Sequence, residues 1–138
     1  MVGTVNIPAR PYFTPRHGAG FTLIELLVVL AIISLLLTIA LPRYFGSVEK
    51  SKEVALKENL QVLRTGIDKY YADKGEYPPA LADLVSQRYF RKVPMDPVTE
   101  SATTWQLLPS PDADKPGVAD IRSGAKGKTR DGVPFGQL

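Results

Sequence analysis

A chain of 138 residues has room for one modest domain, so a large buried core is not available to it. The net charge of +3 is mild, and Arg10 and Arg16 lie in the first twenty residues, where no acidic residue offsets them; the remainder, nearly neutral, gives no general reason to expect nucleic-acid binding. There is no cysteine, which excludes a disulfide framework, a zinc thiolate site and a thiol nucleophile, and leaves packing, a metal or assembly to stabilise a small domain outside the cytoplasm.

Residues 1–20 contain Pro8, Pro11 and Pro15 with Arg10, Arg16 and His17, and show no apolar periodicity; they read as a leader. Residues 21–41 are apolar except for Thr22, Glu25, Ser34 and Thr38. As a helix this stretch is about 30 Å long, the thickness of a bilayer's hydrocarbon core. A secretory signal would end in a small-residue cleavage site after a shorter apolar segment. Here Pro42, Arg43, Tyr44 and Phe45 lead straight into another helical pattern, so the apolar segment is expected to stay. Basic residues before it and mixed charges after it favour a cytoplasmic N-terminus and a C-terminal domain outside.

From residue 47 to residue 74 the pattern is amphipathic, with Leu56, Leu60, Leu63, Ile67 and Tyr70 recurring at helical spacing. This stripe packs either on the protein's own sheet or on a filament neighbour, and tertiary burial is the commoner use. Glu49 with Lys52 and Glu53 with Lys57 are expected as ion pairs on the wet face. Gly75 is expected to stop the helix, and Tyr77, Pro78 and Pro79 forbid its continuation. Leu81, Leu84 and Val85 predict a short helical turn, and residues 93–97 a proline-fixed loop. Residues 103–108, centred on Trp105, and residues 118–121 have strand composition. The last stretch, 123–138, lacks periodicity and reads as an ordered loop or frayed edge. Lys115, Arg122, Lys126, Lys128 and Arg130 near the C-terminus read as a solvated face.

Gly20-Phe21-Thr22-Leu23-Ile24-Glu25 followed by an apolar run resembles the prepilin motif of type IV pilins and type II secretion pseudopilins. The resemblance implies that a membrane prepilin peptidase cuts between Gly20 and Phe21 and N-methylates Phe21. It also implies that Glu25 of an incoming subunit pairs with the N-terminal amine of a neighbour during assembly. A physical argument agrees: an ionisable group in a membrane-spanning segment is expensive and needs a partner. The α-amino group, with an unperturbed pKa of about 8, is the nearest candidate. Pro42 matches the family's helix-breaking proline; it offers no N–H to the Thr38 carbonyl, and a kink or local melting is expected there.

Gly75-Glu76-Tyr77-Pro78 and Pro94-Met95-Asp96-Pro97 look like segments of major pseudopilins, and with Trp105 and residues 120–125 they extend the resemblance over most of the chain. The implied architecture is α+β and type IV pilin-like: leader 1–20, transmembrane and assembly helix 21–42, and an extracytoplasmic domain 43–138. In that domain an amphipathic helix runs to about residue 74, a loop region covers 75–102, and a small antiparallel sheet with a C-terminal loop covers 103–138. Major pseudopilins often bind calcium with a G-A-D-G-like turn and downstream aspartates. Here the turn is Gly124-Ala125-Lys126-Gly127, with an ammonium in place of a carboxylate, and Asp120 and Asp131 are the carboxylates left. No cofactor is expected.

An enzyme is not expected either. The only histidine, His17, lies in the leader, which leaves Ser47 and Ser101 without a histidine base, and no phosphate-binding loop, histidine metal motif or carboxylate pair stands out. The resemblance therefore implies a structural subunit of a type II secretion pseudopilus in the bacterial inner membrane, with its domain in the periplasm. Its implied partners are copies of itself, other pseudopilins, the prepilin peptidase and an inner-membrane assembly platform. The alternative is a pilin, major or minor, of a type IV pilus for adhesion, motility or DNA uptake.

Overall fold

The computed structural model describes residues 1–5, 8, 9 and 18–138; the leader positions 6, 7 and 10–17, including Arg10, Arg16 and His17, lie outside the described residues. The chain divides into two compact units, Met1–Ile39 and Ala40–Leu138, and helix α1, Leu23–Lys74, contributes to both.

In the first unit the helix carries apolar side chains on every side, and none of the apolar window is buried within the chain. Two hydroxyls in this stretch turn inward on their own backbone: Ser34 donates to the Leu30 carbonyl at 2.8 Å and Thr38 to the Ser34 carbonyl at 2.9 Å. Such bonds keep a polar group satisfied where no water is at hand. The helix runs unbroken through Pro42, so of the kink or local melting expected there the melted turn is absent.

In the second unit α1 buries Leu56, Leu60, Leu63, Ile67 and Tyr70 on one face. They pack with Leu81 and Leu84 of α2 (Leu81–Ser86), with Trp105, and with Val118 and Ile121 of the sheet. Full burial of each large aliphatic chain contributes about 1.5–3 kcal/mol, which makes this stripe the main source of the unit's stability. The stripe is the protein's own core, the first of the two uses its spacing allowed. Helix α1 ends at Gly75, which takes φ +73 as a helix stop requires. Tyr89 donates to Asp73 at 2.7 Å and so pins the turn after α2 to the end of α1; that bond pushes the Tyr89 phenol up to about 12.

The sheet has two antiparallel strands, β1 (Gln106–Pro109) and β2 (Val118–Arg122), with Gln106 opposite Arg122 and Leu107 opposite Ile121. Trp105 was expected at the centre of the first strand and instead precedes it. Its indole donates to the Pro94 carbonyl at 2.9 Å, which fixes the ring in the core ahead of the ladder. The last stretch closes on itself through a bridge between Lys128 and Pro134 and a short 3-10 turn, Phe135–Gln137.

Gly66 lies on the buried face of α1 beneath the Phe90 ring, and a Cβ there would stand 2.1 Å from Phe90 Cζ. Glycine costs a helix interior about 1 kcal/mol relative to alanine, so the ring's seat outweighs propensity at this position. Gly66→Ala should therefore destabilise the wild-type background by about 1–3 kcal/mol, the usual cost of overpacking. In a Phe90→Ala background the same change should stabilise by about 1 kcal/mol. Denaturant melts over the four-member cycle measure both signs.

Candidate functional site

The segment ahead of α1 holds Gly20 and Phe21, singled out for processing, and α1 itself holds Glu25 and Pro42, singled out for assembly. Residues 18–22 have no regular structure and are exposed, so the Gly20–Phe21 peptide bond sits in accessible backbone just before the helix. Phe21 is 88% exposed and makes no use of its ring within the chain.

Glu25 and Thr22 form a reciprocal pair across the first turn. The Glu25 backbone N–H donates to Thr22 Oγ1 at 3.2 Å, and the Thr22 N–H donates to Glu25 Oε2 at 3.4 Å. With Leu23 as the first helical residue, Thr22 is the N-cap and Glu25 the third position, which is the capping-box arrangement. Two of the helix's unsatisfied N–H groups are thereby occupied, and a carboxylate is held at the positive end of the helix. The residue singled out for assembly thus also helps start the helix, and its carboxylate points back toward the Phe21 end of the chain. Thr22 was missed as a functional residue, although Thr-x-x-Glu before an apolar run is a legible signal.

Pro42, the other assembly candidate, is exposed inside α1. The motif segments in the second unit serve as staples. The Val118 N–H donates to the Pro78 carbonyl at 2.8 Å, and Asn59 Nδ2 donates to the Met95 carbonyl at 2.7 Å. The Asp96 carboxylate, fully buried, accepts from the Val98 and Thr99 N–H groups and from the Ser123 hydroxyl.

The calcium carboxylates do not come together. Asp120 Oδ1 accepts from Arg64 Nε at 2.9 Å and from the Ile121 N–H at 2.7 Å, while Asp131 is exposed on a turn. Among the described residues no three His, Cys, Asp or Glu side chains gather as a metal would need. Lys126 is exposed and brings positive charge to the turn. These donors do not fit a calcium ion, which wants six to eight oxygens and enough negative charge.

Of the two pairings expected on α1, one has another partner and one forms in a buried setting. Lys52 bonds Glu100 at 3.0 Å rather than Glu49. Glu53 does pair with Lys57, at 2.8 Å, yet it is only 9% exposed, because the C-terminal stretch lies over it.

Comparison with known proteins gives one family model, described as a prokaryotic N-terminal methylation motif, matching residues 15–41. The chain is similar to the type IV major pilin protein PilA of Myxococcus xanthus, 42% identical over 65 residues, covering 47% of this chain and 29% of that one. It is similar to the competence protein ComGC of Halalkalibacterium halodurans, 36% identical over 74 residues, covering 54% of this chain and 72% of the relative. It is also similar to the type II secretion system core protein G of Xanthomonas campestris pv. campestris, 33% identical over 69 residues, covering 50% and 48%. The matched stretch is therefore under half the length of the first and third of these relatives. No solved structure gives a significant match.

Adding a chelator to the full chain in detergent should leave its melting temperature unchanged to within a degree or so. A site filled at a hundred times its dissociation constant would add about 2.7 kcal/mol, which a domain of this size would register as several degrees. A calorimetric scan with and without millimolar calcium distinguishes the two outcomes.

Proposed function

Because this chain belongs to the type IV pilin-like family and is a membrane-anchored, filament-forming subunit, we propose that it serves as a pseudopilin of a type II secretion system. The observation that carries a filament role is the first half of α1: apolar on all sides, unburied, and capped at its start by a carboxylate. Such a helix is stable only in lipid or among other apolar helices. A subunit moving from bilayer to filament exchanges one for the other.

The secretion reading over the pilus reading is supported by the two loop motifs, whose residues do structural work. Asp96 organises its loop through three donors, and the Tyr77-Pro78 segment caps the start of β2. The chain then acts as a structural part rather than an enzyme, in an inner membrane with its second unit on the periplasmic side. Its partners are copies of itself, other pseudopilins, the prepilin peptidase and the assembly platform.

The proposed cycle follows from the N-terminal geometry. Cleavage between Gly20 and Phe21 creates an amine within a turn of Glu25. The carboxylate of an incoming subunit then pairs with the amine of a subunit already in place, so that neither charge is left alone in a low-dielectric setting. The helix dipole favours the same carboxylate at the same end, so each helix can hold the charge while it waits.

Processing is checked by N-terminal sequencing of the membrane-extracted protein, which should begin at methylated Phe21; an intact Met1 beside an active peptidase overturns it. Glu25→Gln should insert and be cleaved but fail to polymerise. Glutamine keeps an oxygen for the Thr22 N–H while removing the charge, and is cheaper to place in lipid. An unpaired amine at the subunit junction costs several kcal/mol, enough to lower filament yield at least tenfold. Shearing and crosslinking of filaments measure this. Deleting the gene should abolish secretion and spare surface pili and twitching; the reverse pattern assigns the chain to a pilus.

A further inference from the structure

The stretch 124–134 has little regular structure, and its own bonds are short-range: Thr129 N–H to Val133 O at 2.8 Å, Val133 N–H to Thr129 Oγ1 at 3.1 Å, and the bridge between Lys128 and Pro134. The loop's ends are tied nearby, by the Ala125 N–H to Ser123 Oγ at 3.0 Å and the Phe135 N–H to the Gly127 carbonyl at 3.2 Å, but none of these bonds holds its middle, around Arg130. The tie at Arg130 comes from α1. Glu53 Oε2 accepts the Arg130 backbone N–H at 3.2 Å, across a separation of 77 residues, while Glu53 Oε1 accepts from Lys57 Nζ at 2.8 Å.

Each oxygen of this nearly buried carboxylate therefore has a partner of a different kind. Lys57, one turn along the same helix, holds the side chain in place and supplies the neutralising charge. Arg130 N–H is the group being held. A second cation on α1 attaches the flanking segments: Arg64 reaches Asp120 Oδ1 at 2.9 Å, the Ile121 carbonyl at 2.9 Å and the Leu138 carbonyl at 2.7 Å. The two attachments lie on either side of the loop in sequence.

We propose that Glu53 is a latch that seats the 124–134 loop on α1, and that the Glu53–Lys57 pair together with Arg64 holds the C-terminal stretch without a metal ion. Where a loop of weak internal structure is often tied down by a cation that gathers several carboxylates, the ties here are reversed. The helix provides one carboxylate for the loop's backbone and one guanidinium for the carbonyls and carboxylate around it. Lys126 in the Gly124-Ala125-Lys126-Gly127 turn is then no defect, since the turn is not asked to collect negative charge. The cavity at the latch, about 240 Å³, is lined by Glu49, Lys52, Val98, Lys128, Arg130 and Phe135, so α1 brings charges of both signs beside Glu53 and the loop brings two cations. The Lys57 ammonium first, and the Arg130 N–H second, hold the Glu53 carboxyl below its ordinary value, in keeping with this geometry.

The test is limited trypsin digestion of the full chain in detergent, with cuts mapped by mass spectrometry. Bonds after Lys126, Lys128 and Arg130 report the loop; bonds after Arg91 and Lys92 report general opening. Cleavage of a briefly opened segment follows the population of its open form. Glu53→Ala should speed the loop cuts about tenfold, as loss of a charge-assisted hydrogen bond allows, while the control cuts change less than about twofold. Glu53→Gln keeps an oxygen for the Arg130 N–H but loses the charge and the Lys57 ion pair, so its loop cuts should fall between those of wild type and Glu53→Ala, whereas a purely steric role would leave them at the wild-type rate. Millimolar calcium or chelator should leave the wild-type pattern unchanged. The proposal is overturned by loop cuts in Glu53→Ala no faster than wild type, by loop and control cuts rising together, by Glu53→Gln as open as Glu53→Ala, or by calcium protecting the wild-type loop.

Discussion

The rest of the structure depends on one constraint: α1 is a single helix whose two halves require different surroundings. Its first half is apolar on every side and leaves all of that surface unburied within the chain. Its second half is apolar on one face only and has that face covered by α2, Trp105 and the sheet. The hydrophobic effect thus acts twice on one element, folding a small unit through the second half and demanding lipid or other copies through the first. A chain satisfied in water by itself would not show this division.

The N-terminus adds the polar part of the same argument. A helix entering an apolar medium begins with four N–H groups that have no partner within the helix. Thr22 and Glu25 occupy two of them reciprocally. The carboxylate is thereby tolerated near lipid for a local reason, before any neighbour arrives. An amine at Phe21 after cleavage would add its charge at the end of the helix where this carboxylate already sits. Helix start, membrane tolerance and the proposed assembly chemistry fall on one side chain, which is why removing its charge and removing its oxygen are different experiments.

Much of this was legible in the sequence, because the main signals are periodic and local. The apolar run gave the first half of α1, the Leu56, Leu60, Leu63, Ile67 stripe gave the core face, and Gly75 gave the helix end. Strand β2 was legible almost to the residue because Val118 and Ile121 pack inward. What was not legible depended on partners far along the chain. Glu53 has the spacing of an exposed ion pair, and only a loop 77 residues away makes it buried. Lys52 has a carboxylate three residues back, yet Glu100, fixed by a distant turn at φ +56, reaches it instead. Trp105 has strand composition and sits outside the strand, because its indole N–H must find the Pro94 carbonyl to be buried. Pro42 lacks an N–H, and the helix continues through it without a melted turn.

These distant ties explain how a unit with two short strands and no disulfide holds its loops. A two-stranded ladder is marginal by itself. Side chains therefore take over the work of a larger sheet, and most of them stand on α1: Asn59 on the Met95 carbonyl, Arg64 on the Ile121 and Leu138 carbonyls, Glu53 on the Arg130 N–H. Each satisfies a backbone group that would otherwise need water or a strand partner. Loops pinned in this way take their positions from the helix as well as from one another, as the bond between the Ser123 hydroxyl and the Asp96 carboxylate adds.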